Sequence, residues 1–222
     1  MDEVKKIEQG CERDYNIWLY YQNAVQNLEL SKHWKHYIAE LVFELCKAET
    51  EIGNAIINKN ELTTCDPLKT PDILKLLKEK DMTILRTCVW NSQIKTCLPM
   101  IEIERCGYIA ANYELLQSVM SSEYWDDAAG EYKVLYNPVR EDDAGDPYDL
   151  DIATLQRIAY FKKRLVMYGT VSTAPFIRMK GKDKQHINFI SDLLNRLTHF
   201  KLLNPKELEI LFDGHEKFLG RV

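Results

Sequence analysis

His33 and His36 stand three residues apart and Glu40 follows four further on, so on a helix all three occupy one flank, where residues three and four apart are neighbours. Three such side chains could hold a metal ion. The flank lies opposite an apolar stripe, and no His-Glu-x-x-His occurs, the minimum for a zinc hydrolase. It therefore reads as a solvated helix face. Asp142, Asp143, Asp146, Asp149 and Asp151 invite calcium, but their order fails the alternate acids, sixth-position glycine and closing glutamate of an EF-hand. A solvated acidic loop over about 126–149 is expected instead, punctuated by Gly130, Pro138, Gly145 and Pro147.

The thiols give no more chemistry. Cys11, Cys46, Cys65, Cys88, Cys97 and Cys106 include no Cys-x-x-Cys pair. The nine-residue spacing of Cys88, Cys97 and Cys106 turns a helix about half a turn beyond two full turns, so the three cannot converge on one metal. Reduced, core-filling thiols of a reducing compartment are expected. No Gly-x-Ser-x-Gly occurs, and Gly181-Lys182 lacks the preceding glycine of a phosphate-binding loop. No catalytic residue, metal or cofactor is expected, and the chain is not expected to be an enzyme. Arg157, Lys162, Lys163, Arg164, Arg178, Lys180, Lys182 and Lys184 form the one positive concentration, with few aromatics among them as stacking platforms, and balance the acidic loop.

The elements that must position these residues are helices. In 222 residues, 45% are hydrophobic and 28% charged, ordinary for a soluble globular protein with room for a core. A net charge of −5 argues against a dedicated nucleic-acid binder. Met1–Lys6 is charged and lacks the apolar centre of a secretory signal, and no apolar run reaches the length that crosses a bilayer. An intracellular location is expected.

Tyr15, Trp18, Leu19, Tyr21, Val25 and Leu28 predict an aromatic-rich helix over 13–30, with a break near Ser31. Trp34, Ile38, Leu41, Leu45, Ala48, Ile52 and Ala55 then keep a heptad pattern that demands a partner helix, in this chain or in another subunit. A loop is expected over 58–70, after which Thr70 and Pro71 supply a helix cap and first turn. A short helix with Ile73, Leu74, Leu76 and Leu77 and a second over 82–98 follow, and Pro99 either starts the next helix or kinks one continuous helix.

The central helix is predicted over 100–125, where Met100, Ile103, Gly107, Ala110, Tyr113, Gln117 and Met120 share one stripe. Tyr132, Val134, Leu135 and Tyr136 suit one brief extended segment. A helix is expected from Leu150 to Tyr168, capped by Gly169, and Val171–Met179 is a strand candidate. Ile187, Ile190, Leu194 and Leu197 then mark one helix, and Asn204-Pro205 opens a last one, stopped at Asp213-Gly214.

Ile101-Glu102-Ile103-Glu104-Arg105, with Tyr108-Ile109 and Tyr113, resembles the central helix of the SLD-five subunit of GINS, the heterotetramer that accompanies the eukaryotic replicative helicase. The N-terminal helical segment ending near Glu51 and Pro175–Lys180 are looser echoes in the same order. Glu114, Leu115, Leu116 and Gln117 stand where that family continues with an arginine-rich run. The resemblance implies a non-catalytic assembly subunit in DNA replication, in the nucleus. Glu102, Glu104, Arg105, Tyr108 and Tyr113 would then position the central helix and pack it among sister subunits.

The expected fold is mainly α: an elongated multi-helix bundle over 1–170 carrying the acidic loop, and a small C-terminal module over 171–222. Protein partners and an oligomer are expected, with neither direct nucleic-acid contact nor a membrane. A second reading makes the chain a stand-alone helical inhibitor in the cytoplasm, such as a bacterial immunity protein or antitoxin. Asp142, Asp143 and Asp146 would then steer it onto a basic toxin.

Overall fold

The structure is a computed structural model that describes residues 2–59, 64–120, 122–134, 145–160, 165–167, 170–172 and 181–219. The protein is mainly α. Helices α1 (Asp2–Ala24), α2 (Lys32–Cys46), α3 (Thr50–Ile57), α4 (Pro71–Leu76), α5 (Met82–Ala111) and α6 (Tyr113–Met120) lead to a small sheet. Helix α7 (Ile152–Ala159) lies between its second and third strands, and α8 (Gly181–Thr198) and α9 (Pro205–Leu219) follow the fourth. The strands are β1 (Glu123–Asp126), β2 (Glu131–Val134), β3 (Leu165–Met167) and β4 (Thr170–Ser172), ordered β2-β1-β3-β4 with every neighbouring pair antiparallel.

Two compact units divide the chain: Met1–Met100 with Arg196–Gly220, and Ile101–Asn195 with Arg221–Val222. The boundary expected at 170 falls inside the second.

In the first unit, the apolar stripe of α2 is fully buried at Tyr37, Ile38, Leu41 and Leu45. Phe212 of α9 meets Trp34 edge-on at 4.8 Å between ring centroids, and Tyr37 at 6.0 Å. The heptad pattern does not continue as one helix, because Lys47 takes a positive φ of 47° and ends α2 before α3 begins. That turn brings Gly53 of α3 against the ring of Tyr21, whose hydroxyl donates to the Lys47 carbonyl at 3.1 Å. Thr70 precedes Pro71 as expected, but its hydroxyl donates to the Asp66 carbonyl at 2.9 Å rather than capping α4.

Pro99 lies inside α5, on an exposed face, so one helix runs through it. The predicted central helix over 100–125 is shorter. It breaks at Asn112, whose side-chain amide donates to the Tyr108 carbonyl at 2.8 Å, and ends at Met120. Glu123 and Tyr124 are strand residues instead, Tyr124 pairing with Lys133 and with Leu165. The helix expected from Leu150 to Tyr168 stops at Ala159, and Leu165–Met167 is strand. Asp151 begins it, its carboxylate accepting from the Thr154 amide at 2.6 Å. Tyr132 falls on β2, Leu135 and Tyr136 lie outside the described residues, and of the 171–179 strand candidate only Val171 and Ser172 lie within them.

The segment between α8 and α9 is closed by three sets of bonds. Phe200 holds φ at 56°, its amide donating to the Leu197 carbonyl at 3.2 Å and the Lys201 amide to Arg196 at 2.9 Å. This is a Schellman stop with phenylalanine where glycine usually stands. Gln93 then grips Leu203 at both ends of its peptide, donating to the carbonyl and accepting from the amide, each at 2.8 Å. Finally, Asn204 and Glu207 form a capping box: Glu207 accepts from the Asn204 amide at 2.8 Å and Asn204 from the Glu207 amide at 3.1 Å. A cap of this kind contributes about 1 kcal/mol. Helix α9 runs through Asp213-Gly214, where a stop was expected, to Leu219.

Candidate functional site: helix faces for assembly

The residues matched by the GINS resemblance lie at the C-terminal end of α5 and the start of α6, in the second unit. Glu102 and Arg105 form an ion pair one turn apart. The Arg105 guanidinium also donates to the carbonyls of Tyr148 at 2.8 Å and Leu150 at 2.7 Å. Hydrogen bonding and the opposite charge of Arg105 hold the Glu102 carboxyl below its ordinary value, and Glu102 raises Arg105 in turn. Tyr113 places its ring 6.0 Å from that of Tyr148. Asp146 accepts from the Tyr148 amide at 3.0 Å. Arg105, Tyr113 and Asp146 therefore converge on one short segment, Asp146–Leu150.

Glu104 and Tyr108 are buried. Glu104 meets His186 Nε2 at 2.9 Å, a partner that sequence reasoning missed. The only signal was its place on α8, next to the apolar stripe that begins at Ile187. Asp142 and Asp143 lie outside the described residues, as do Lys162, Lys163, Arg164, Arg178 and Lys180. Arg157 is exposed on α7.

The His33, His36 and Glu40 trio is not brought together. His36 Nδ1 lies 3.2 Å from the Gln22 amide nitrogen, and the ring of His33 lies 6.2 Å from that of Phe212. Glu40 corrects the expectation of a solvated flank, because it is buried, accepting from the indole N–H of Trp18 and pairing with Lys95 at 3.8 Å. One turn on, the buried Glu44 binds Lys95 at 2.6 Å and Lys47 at 3.2 Å. The cause is compositional: α1 and α5 supply an indole and an ammonium, and carboxylates can leave water only against such partners.

Among the described residues, no group of three or more His, Cys, Asp or Glu is placed to hold a metal. Burial pushes the Cys46 and Cys97 thiols up to about 12, and Cys88 and Cys106 also lie above the ordinary thiol value, chiefly through burial. Such thiols stay protonated and are poor nucleophiles. Among the described residues, no helix is long and apolar enough to cross a membrane.

The largest exposed apolar side chains that fall together are on α1. Tyr15 is 59%, Leu19 40% and Tyr20 41% exposed; Tyr15 and Leu19 stand one turn apart, and Tyr20 lies toward α3 with its ring edge-on to that of the buried Tyr21 at 5.4 Å. Tyr15 stacks on Trp18 with 5.9 Å between centroids, and the Tyr20 hydroxyl accepts from Asn54. Beside them an open groove of about 570 Å³ runs between α1 and the start of α3, lined by Arg13, Asn16, Ile17, Tyr20, Ala48 and Thr50 among others. Tyr15, Trp18, Leu19 and Tyr21 were legible as one apolar helix; Tyr20 was missed, and which residues face outward could not be read.

No family model, no curated protein and no solved structure matches the chain.

Proposed function

We propose that the chain is a non-catalytic assembly subunit, similar to the SLD-five member of GINS, and that α1 carries a face on which a sister subunit packs. The observation that carries this reading is the exposure of Tyr15, Leu19 and Tyr20 within two turns of α1, with an open groove beside Tyr20. Exposed apolar residues scattered singly need no explanation, whereas three large ones within two turns of a helix suit a surface that another chain covers. Tyrosine suits such a surface because it offers large area and a polar tip at low entropic cost. In this reading the matched residues of α5 act from within: Glu104 and Tyr108 are packed inside the fold, and Arg105 holds the segment around Tyr148 in place.

The test is reconstitution. The chain is co-expressed with the three GINS sister subunits of its own organism, as wild type and as Tyr15→Ser/Leu19→Ser/Tyr20→Ser, and complex formation is followed by size-exclusion chromatography with light scattering. A stoichiometric complex of the wild type, lost in the triple variant while the variant's helical circular dichroism is unchanged, supports the reading. No complex with the wild type removes the GINS-like assignment, and a complex untouched by the triple substitution removes the α1 face.

A further inference from the structure

The first unit contains a second cleft, of about 510 Å³, lined by the N-terminal half of α5, the 65–69 segment and the segment between α8 and α9. Its charged lining is one-sided. Lys69, Arg86, Arg196 and Lys201 face it, against the single carboxylate of Asp66, in a chain whose net charge is −5. Two of the cations are committed: Lys69 to Asp66 at 3.0 Å, and Arg196 to Glu207 and the Leu202 carbonyl. Arg86 and Lys201 have no side-chain hydrogen bond or ion pair among the described residues, although exposed carboxylates are abundant in the chain. Like charges gathered around one concavity repel, and the arrangement is relieved when an anion enters it.

The cleft is also a built feature rather than a chance gap between side chains. Lys201 rides on the segment that the Schellman stop, the double grip of Gln93 on Leu203 and the Asn204–Glu207 box all fix. Arg86 stands on α5 two turns before Gln93, so the cation and the clamp share one helix face. An ammonium carried on a fixed backbone segment, a free guanidinium fork and a cavity within the usual range for small ligands suit a compact, multiply charged oxyanion.

We propose that this cleft binds the phosphate group of a small phosphorylated molecule, with Arg86 and Lys201 as its charge-bearing ligands. The site is independent of the assembly face on α1. The chemistry is shared by inorganic pyrophosphate and by the diphosphate of a nucleotide, and the two are separated by probing both.

The full chain is titrated calorimetrically with inorganic pyrophosphate, a nucleoside diphosphate and a tetraglutamate peptide, at low and at physiological salt. Three proteins are compared: wild type, Arg86→Gln/Lys201→Gln, and the charge-matched Lys32→Gln/Lys78→Gln. The expected result is saturable one-to-one binding of a phosphate probe that weakens at least tenfold in the Arg86/Lys201 variant and stays within twofold in the control. Tighter binding of the nucleotide than of pyrophosphate assigns the ligand as an organic phosphate; equal binding assigns the phosphate alone. Absence of saturable binding, an equal loss in both variants, or binding of tetraglutamate as tight as that of the phosphates overturns the proposal. Arg86 and Lys201 are exposed, so an unchanged urea midpoint shows that any loss is not unfolding.

Discussion

Glu104 and His186, 82 residues apart in the chain, meet at 2.9 Å, and the carboxylate is only 1% exposed. A carboxylate is buried at this depth only when partners replace its water. Glu104→Ala is expected to destabilise the second unit by about 1–3 kcal/mol, because it removes the bond to His186 and leaves a gap where a buried side chain stood. Glu104→Gln keeps an oxygen toward the imidazole and should cost less. Urea denaturation of both variants checks this, and equal losses would show that charge, not the hydrogen bond, is what matters.

Lys95 and Glu44 give the fold a predictable pH response. Burial pushes Glu44 up, but hydrogen bonds and charge from Lys95 and Lys47 more than offset it, so it lies below its ordinary 4.5. Burial lowers Lys95, and Glu44 and Glu40 more than restore it, so it lies above 10.5. Glu44 therefore contributes stability that is full above 4.5 and lost as pH falls through its depressed folded value; Lys95 contributes below 10.5 and loses it as pH rises through its raised one. Lys95→Met should destabilise by about 1.5 kcal/mol at neutral pH, near the low end for a bond to a charged group, since the ammonium is half exposed. The difference from wild type should shrink as pH falls through the depressed folded value of Glu44, where the carboxylate takes up a proton and the pair is lost. A difference that stays constant with pH would remove the pair as its cause.

Gly53 is fixed by Tyr21. A Cβ at Gly53 would fall inside contact distance of the far edge of the Tyr21 ring, which is fully buried and tied to the Lys47 carbonyl. Alanine ordinarily improves a helix by about 1 kcal/mol over glycine. Here Gly53→Ala should instead destabilise by about 1–3 kcal/mol, the usual cost of overpacking. Adding Tyr21→Phe, which frees the ring from Lys47, should recover part of the loss; a stabilised single variant would show that α3 can move away.

What the sequence made legible follows from where the physics is local. The burial of Leu41, Leu45 and Ile190 could be read from spacing, and Pro71 and Asn204-Pro205 from their turn chemistry, because each depends on residues within a turn or two. The ends of the central helix could not. Tyr124 becomes strand because it pairs with Lys133 across a short turn and with Leu165 from 41 residues away, and no window around Tyr124 contains the second ladder. The heptad pattern across Ala48 suggested one helix for the same reason: apolar spacing survives the turn at Lys47, whose positive φ breaks the backbone. At the candidate sites, Arg105 and Glu102 are local and were readable. The Glu104–His186 pair and the cleft between Arg86 and Lys201 join remote segments and were not.

Phe200 offers the sharpest test of the segment that carries Lys201. Its φ of 56° is the left-handed conformation, which costs a residue with a Cβ about 1–2 kcal/mol and glycine almost nothing. What holds it there is the ring, stacked on Trp90 at 4.0 Å between centroids and 16° between planes, although 64% of the residue remains exposed. Trp90 meanwhile donates its indole N–H to the Leu197 carbonyl at 2.8 Å, so the stack and the helix stop share one side chain. Phe200→Ala keeps the backbone cost and loses the stack, worth about 0.5–1.5 kcal/mol beyond its area. Phe200→Gly loses the stack and the cost together. The glycine variant should therefore unfold at a higher urea midpoint than the alanine variant, by the equivalent of about 1 kcal/mol, and lie close to wild type. Trp90 fluorescence should shift equally in both, since both remove the ring that covers it. Alanine equal to glycine would mean that the stop rearranges when the ring is lost, and that the geometry presenting Lys201 depends on the aromatic stack rather than on the Schellman bonds.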